Sequence, residues 1–461
     1  MTEPETAELG AFLSSLEKPV LTTLLVELAA SNENVRKRLE RLQLAADPRK
    51  LAAAFKRTLA GWRRSTAFIG YRESHAFGAE LEAWLDQIEQ ELLPKDAERA
   101  LDLFEAFIES GRELFEHADD SDGCIGEALR SACERWLHAA TQCKDSDSYW
   151  VERIYALVKA DEYGARVELL RGANLVLEEA ALRMLAARFE GDLYVALKNR
   201  EPTEPLPAAV FSASAAVGLV AEALRDPDLS IRAVLSYSPN PNELQKARFA
   251  EGYLRFGRPE QALVWMEGDW GRREDERLRL LAEAYSSLRR DEEASDIRQR
   301  IFEGSGTVED FRAWRASLAL ERQAQADDAA RQRAQANGDP IAAACLLLQI
   351  NEDRAAEVLL VERFVHVNGN DYPRLVPLAE AMEANGRLLG CTACYRALLQ
   401  AILSRAYARA YSHAARYLKK LRELVHALPD LAPLESHAAF EAQLRSKHGR
   451  KASFWNLMVK G

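Results

Sequence analysis

The sequence predicts an all-α protein built as an α-solenoid of helical hairpins, with essentially no β-sheet, and three observations predict it. Gly and Pro together make up 39 of the 461 residues, below the roughly 12% of an average chain, so helix breakers are few. Apolar residues recur at steps of three or four almost everywhere, and no stretch alternates with the period of two that a strand requires. A segment near the middle also repeats itself. A length of 461 residues suits about three domains or one elongated repeat array, and either buries a sizeable core.

Taken in order, the elements follow from this periodicity. Leu51, Phe55, Leu59 and Trp62 mark the apolar side of an early helix. Phe77, Leu81, Leu85, Ile88 and Leu92 form the next stripe, with Glu80, Glu82, Asp86, Glu89 and Glu91 filling the remaining faces. Leu101, Phe104, Phe107 and Leu114, then Ile154, Leu157 and Val158, continue the pattern. The longest uncharged run, Pro205 to Ala221, is interrupted by Ser, Gly and Pro; it reads as a buried helix of small side chains, too short and broken to span a bilayer. Breaks at Pro94-Lys95, Asp119 to Gly123, Gly164, Pro202 to Pro207, Pro239 to Pro241, Gly257 to Pro259, Gly304 to Gly306, Asn337 to Pro340, Asn368 to Asp371 and Pro429 to Pro433 are short, as antiparallel helical neighbours require.

The internal repeat sharpens the architecture. FAEGYLRFGRPEQALVW from Phe249 aligns with LAEAYSSLRRDEEASDI from Leu281 at a period of 32, matching Ala250/Ala282, Tyr253/Tyr285, Arg258/Arg290 and Ala262/Ala294. A third copy starts at Leu378 with LAEA and turns at Gly386-Arg387. The period lies near the roughly 34 residues of tetratricopeptide repeats, and a compact multi-helix bundle is the alternative. Four regions are expected: 1–120, helical with a basic stripe; 121–240, helical hairpins; 241–430, tetratricopeptide-like repeats; and 431–461, a basic C-terminal cap.

Three motifs carry a family resemblance: DDSDGCIGEALR (Asp119 to Arg130), CYRALLQAILSRAYARAYSHAARYLKKL (Cys394 to Leu421) and HGRKASFWNLM (His448 to Met458), joined by ADEYG at Ala160 to Gly164. Here the chain resembles a bacterial all-helical family of unknown function, whose helices are similar to those flanking the zinc finger in SWIM-type proteins. The resemblance implies a helical fold and no activity. The CxC and CxH elements of such a finger are absent from this sequence, so no finger is carried over.

The chemistry-bearing residues give no reaction. The start MTEPET is acidic where a secretory leader would be basic, and no apolar run follows it, so a cytoplasmic location is expected. Cysteines at 124, 133, 143, 345, 391 and 394 suit a reducing compartment, and the CxxC of Cys391 and Cys394 falls within an apolar-periodic run, where packing is the better reading than redox or zinc chemistry. Asp119 to Gly123 resembles a calcium loop, but that register puts Ala118 at position 1 and Leu129 at position 12; capping by Asp122 or Ser121 is favoured. Glu113/His117 and Glu134/His138 are i,i+4 pairs, Glu423/His426 is a single ExxH, and none completes a metal motif. No phosphate loop, GxSxG or GxGxxG appears, so no cofactor, metal or catalytic residue is assigned; an unrecognised enzyme stands as the third reading.

Charge is the informative feature. Residues 36–72 carry 11 basic groups against Glu40 and Asp47, and residues 396–461 carry 12 against 4, although the whole chain is −11. Arg49-Lys50, Lys56-Arg57 and Arg63-Arg64 recur every seven residues, close to two helical turns, so they stack as one stripe. The stripe reads either as a contact for a nucleic-acid backbone or acidic protein, or as a solvated edge paired with the acidic helix from Phe77 to Leu92; the solvated edge is favoured. Arg445, Lys447, Arg450 and Lys451, with His448, lie beside Phe454 and Trp455, which suits nucleic acid or a cap whose aromatics plug the last groove. The cap is favoured. A non-enzymatic scaffold or adaptor for a protein partner is the leading expectation, and nucleic-acid association through the two basic ends is the second.

Overall fold

The computed structural model describes residues 12–44, 46–65, 67–198, 204–428 and 430–459. The acidic start at Met1 to Thr6 and the breaks at Pro202 and Pro429 lie outside them, as do the side chains of Lys37 and Arg41. Among the described residues every regular element is helical, and the only bridge outside helices joins Ile69 to Ala118. The all-α expectation therefore holds. The chain divides into two compact units, Met1–Pro241 and Asn242–Gly461.

The first unit contains α1 (Lys18–Ser31), α2 (Glu33–Leu44), α3 (Pro48–Arg64), α4 (Tyr71–Gln87), α5 (Ala97–Glu109), α6 (Gly111–Glu116), α7 (Cys124–Ala140), α8 (Asp147–Lys159), α9 (Glu168–Arg171), α10 (Glu179–Lys198), α11 (Ala208–Leu224) and α12 (Pro227–Leu235). A π-helical turn, Ile88–Leu92, continues α4. Helix α3 starts where Pro48 occupies the first turn and the Asp47 carboxylate accepts from the Arg49 and Lys50 amides at 3.1 and 3.4 Å. Its Leu51, Phe55 and Leu59 are buried, each worth about 1.5–3 kcal/mol against exposure.

Trp84 on α4 is the hub of this end. Phe55 and Trp62 of α3 meet its ring edge-on at 6.0 and 5.6 Å, and Phe107 of α5 stacks on it at 5.5 Å. Helix α11 is the run of small side chains expected between Pro205 and Ala221, burying Val210, Ala213, Ser214, Ala216, Val217, Val220 and Ala221.

The second unit contains α13 (Glu243–Arg255), α14 (Pro259–Trp265), α15 (Glu274–Ser287), α16 (Asp291–Ser305), α17 (Val308–Ser317), α18 (Leu320–Ala336), α19 (Pro340–Gln349), α20 (Asp353–Glu362), α21 (Tyr372–Ala384), α22 (Leu388–Ser404), α23 (Tyr411–Ala427), α24 (His437–His448) and α25 (Ala452–Val459). Many consecutive helices pack on one another, as in α13–α14, α15–α16, α19–α20 and α21–α22, while α20 packs on α22 and α23 on α25.

The sequence repeat is also a backbone repeat. At Tyr253–Arg258 the amide of residue 258 donates to the carbonyl of 253 at 2.9 Å and that of Gly257 to Leu254 at 3.0 Å, with Gly257 at φ +70°. This is a Schellman close, which satisfies the carbonyls left open at a helix end. Tyr285–Arg290 and Met382–Arg387 reproduce it, with amide-to-carbonyl distances of 2.9 and 2.7 Å and with Arg289 and Gly386 left-handed. Arg258 and Arg290 fold back over Tyr253 and Tyr285, 5.0 and 4.6 Å from the ring centres. Leu347–Glu352 closes in the same way around Asn351, a copy that residue matching missed because Leu347 and Asn351 replace Tyr and Gly.

The small residues sit where these hairpins approach closely. Ala250, Ala262, Ala294, Ala344, Ala356 and Ala379 are fully buried, each three residues before the closing carbonyl or four after the closing amide. Cys391 takes the latter place in the third copy and is fully buried as well.

Candidate partner-binding faces

On α3 the periodicity of seven does what helix geometry requires: Arg49, Lys50, Lys56, Arg57, Arg63 and Arg64 all project from the face opposite Leu51, Phe55 and Leu59 and are exposed. Arg63 and Arg64 occupy the last turn, where the carbonyl end of the helix favours cations. Two of the six have local partners. Arg63 holds Glu113 at 2.8 Å, and Lys50 lies 3.8 Å from the capping Asp47. Burial alone would raise the Glu113 carboxyl, but its backbone hydrogen bond and Arg63 keep it below the ordinary value. Arg49, Lys56, Arg57 and Arg64 have no ion pair among the described residues.

The acidic helix does not serve as the partner of the stripe. Glu82 and Asp86 of α4 and Glu89 of the π-helical turn that continues it converge instead on Arg135 of α7, whose guanidinium is 3.2 Å from Glu82 and 3.0 Å from Glu89 and also bonds Asp86. The cause is geometric. Trp84 and Leu85 turn one side of α4 into the core, and the acidic side faces α7. An arginine with three carboxylates needs no help from α3.

At the other end, Arg445 and Lys447 lie on α24 and Arg450 and Lys451 on the turn into α25. Arg445 is committed within the fold: it pairs with Glu441 at 3.3 Å and covers the Trp455 ring at 4.3 Å. Lys447 reaches Gln443 at 3.3 Å. Phe454 is fully buried, edge-on to Tyr411 at 6.0 Å, while the Trp455 indole donates to the His448 carbonyl at 3.0 Å. The aromatics of this cluster are therefore packed rather than presented.

The motifs weighed for metal or redox chemistry take the following places in the fold. Asp120, not Asp122 or Ser121, is the main cap of α7, accepting from the Ile125 and Gly126 amides at 2.7 and 3.0 Å, while Asp122 adds a longer bond from the Cys124 amide at 3.3 Å and Ser121 bonds Asp119. Left-handed Gly123 (φ +78°) displaces the cap three residues back, which spacing alone does not reveal. Cys391 and Cys394 are buried in α22, and burial pushes the Cys391 thiol up to about 12 and Cys394 further. His138 bonds Gln142, Glu423 lies near Lys420, and neither Glu113/His117 nor Glu134/His138 joins a metal-like cluster among the described residues. One group that residue spacing did not disclose does come together, His75, Asp122 and Cys124, because its first member lies 49 residues from its last.

One helix carries an apolar surface that no described residue buries. Helix α1 has no buried residue, and Val20, Leu24 and Leu28, one face at steps of four, are 50%, 41% and 44% exposed. Leu25 and Val26 are exposed beside them. No described helix is long and apolar enough to cross a membrane.

Comparison with known proteins adds a family and little more. No curated protein matches the chain. A solved chain titled "Circular tandem repeat protein with novel repeat topology and enhanced subunit contact surfaces" aligns with 96% of this chain and 94% of its own at 16% identity, but the TM-score of 0.20 is too low for any structural argument. A family model described as a family of unknown function matches residues 10–457 and says nothing of zinc-finger flanks. This chain belongs to that family, DUF6880.

Proposed function

We propose that the protein is a helical-repeat scaffold or adaptor that binds a protein partner through its first helices. The observation that carries this reading is α1, an apolar helix with no buried residue. Water-exposed Val and Leu at steps of four are how a helix enters a partner's groove. The exposed cations Arg49, Lys56, Arg57 and Arg64, with no ion pair among the described residues, favour a partner that is acidic beside its apolar groove. All six cysteines are free, which suits a reducing cytoplasm as the place to look for it.

The test is site-specific cross-linking. A photoreactive residue at Leu25 in the native host should trap a protein partner, and Leu24→Asp with Leu28→Asp should abolish the adduct while leaving the thermal melt unchanged. An adduct that survives the double change sinks the reading. So does a gel shift with duplex or single-stranded DNA or RNA that weakens with salt and disappears when Arg49, Lys56, Arg57 and Arg64 are neutralised, because the stripe then serves a nucleic acid.

A further inference from the structure

We infer that His75, Asp122 and Cys124 form a binding site for a zinc-like divalent cation at the junction of α4 and α7, with one ligand position open to solvent. The inference is independent of the partner-binding reading.

The trio supplies one imidazole nitrogen, one carboxylate oxygen and one thiol sulfur, all within 4.8 Å of one another. That mixture suits zinc and other borderline metals rather than calcium or magnesium, which take oxygen alone. The distances support it. Bonds of about 2.3 Å to sulfur and about 2.0–2.1 Å to nitrogen, at a tetrahedral angle, put the two donors about 3.5 Å apart. His75 Nδ1 and Cys124 Sγ are 3.5 Å apart. The two edges to an Asp122 oxygen need to be about 3.3–3.6 Å, and the ligand atoms already lie within 4.8 Å of one another.

Local structure holds the donors together. Gly78 lies one turn beyond His75 on α4 and touches the start of α7 so closely that a Cβ there would come within 2.6 Å of the Cys124 Cβ. Only glycine permits that approach, and the approach places His75 against Cys124. Behind the carboxylate, the fully buried Ser74 sets its hydroxyl 2.9 Å from Asp122 Oδ2, the kind of outer hydrogen bond that orients a metal-binding carboxylate. Asp120 is not one of the group: its oxygens take the α7 amides at 2.7 and 3.0 Å, whereas from α7 Asp122 takes only a 3.3 Å bond from the Cys124 amide.

A thiol, imidazole and carboxylate could also suggest a nucleophilic triad. In a triad the carboxylate stands behind the imidazole and orients it. Here Asp122 bonds the Cys124 amide and Ser74, on the sulfur side, so the arrangement is that of three ligands around a point. On binding, the cation replaces the thiol proton, which passes to solvent; His75 donates its Nδ1 lone pair with its proton on Nε2, and water takes the fourth corner.

The experiment uses the full chain, free of affinity tags, titrated with Co²⁺ alone and then with Zn²⁺. One Co²⁺ per chain should bind with a thiolate-to-cobalt charge-transfer band and tetrahedral visible bands, and Zn²⁺ should displace it. Cys124→Ser should abolish the charge-transfer band. His75→Ala and Asp122→Asn should each weaken Co²⁺ binding at least tenfold, and Ser74→Ala, a positioning change, about tenfold. Circular dichroism of each variant checks the fold. Zn²⁺ should also raise the melting temperature of the wild type but not of Cys124→Ser. A wild type with no charge-transfer band overturns the inference, as does a band that persists in Cys124→Ser or is lost in Cys143→Ser.

Discussion

The two units hold their helices together by different means. In Met1–Pro241 the ties are side chains that reach across the sequence: Arg135 spans 53 residues to Glu82, Arg153 holds Asp102 and Glu105 at 3.3 and 2.5 Å, and buried Arg166 donates to the Leu157 and Ile108 carbonyls at 2.8 and 3.0 Å. In Asn242–Gly461 four junctions of one backbone form recur, flanked by fully buried small residues. The second unit carries cross-helix ion pairs too, Arg279 with Asp310 at 2.8 Å and Arg315 with Asp327 at 2.7 Å, but there the closing turns and their buried small residues repeat in register. The difference teaches that a repeat is visible in sequence where packing is small and local, and fades where individual large side chains do the joining.

Four changes would break or sharpen this contrast. The largest effect is expected from Trp84→Ala, which removes the hub of four rings and should cost about 3–5 kcal/mol; hydrogen exchange read by mass spectrometry should show α3, α4 and α5 losing protection while α15 and α16 do not. Arg135→Ala should follow at about 2 kcal/mol in chemical denaturation, since it leaves three carboxylates unanswered on one helix face. An effect under about 0.5 kcal/mol would mean the staple is ornamental.

The repeated junctions make a paired test of opposite sign. Gly257→Ala puts a side chain at φ +70° and should destabilise by about 1 kcal/mol, whereas Arg289→Gly relieves the same conformation at φ +58° and should be neutral or stabilising by about 0.5 kcal/mol. Equal signs in thermal melts would show that the junctions are not equivalent.

The remaining change, at Asp310, concerns the acid limb of stability. Burial of this carboxyl would raise it, but bonds from Arg279, Ser305 and Thr307 hold it below its ordinary value of 3.8. Its contribution is therefore complete above about pH 3.8 and is lost as pH falls through the lower folded-state value. Asp310→Asn should flatten the acid limb of the stability curve of the second unit, and an unchanged limb refutes the assignment.

Much of the fold was legible because helices announce themselves locally: Phe55, Leu81 and Phe104 are buried where their spacing placed them, and Tyr253 and Tyr285 mark corresponding corners. The corner at Leu347 was not, because what repeats there is a backbone torsion at Asn351 rather than a residue type. The stripe on α3 was legible as a face, but not the destiny of its supposed partner, since only the rotation of α4 about Trp84 decides that Glu82, Asp86 and Glu89 meet Arg135. The His75, Asp122 and Cys124 group was illegible for a related reason. Its members share no motif; they meet because Gly78 lets two helices touch.

A corner that recurs with the same torsions is also a splice point. Leaving Gly257 and leaving Arg289, the chain departs from one backbone conformation at one place in a hairpin. Removing the residues between them, or inserting such a stretch again, returns the chain to a junction it already knows how to make, with the small-residue positions still in step. Relatives of different length are thus expected to differ by whole hairpins in the second unit, whereas in the first one junction of this form, Ala221–Asp226 around Arg225, has no repeat in step with it among the described residues, and the staples from Arg135 and Arg153 tie distant segments together.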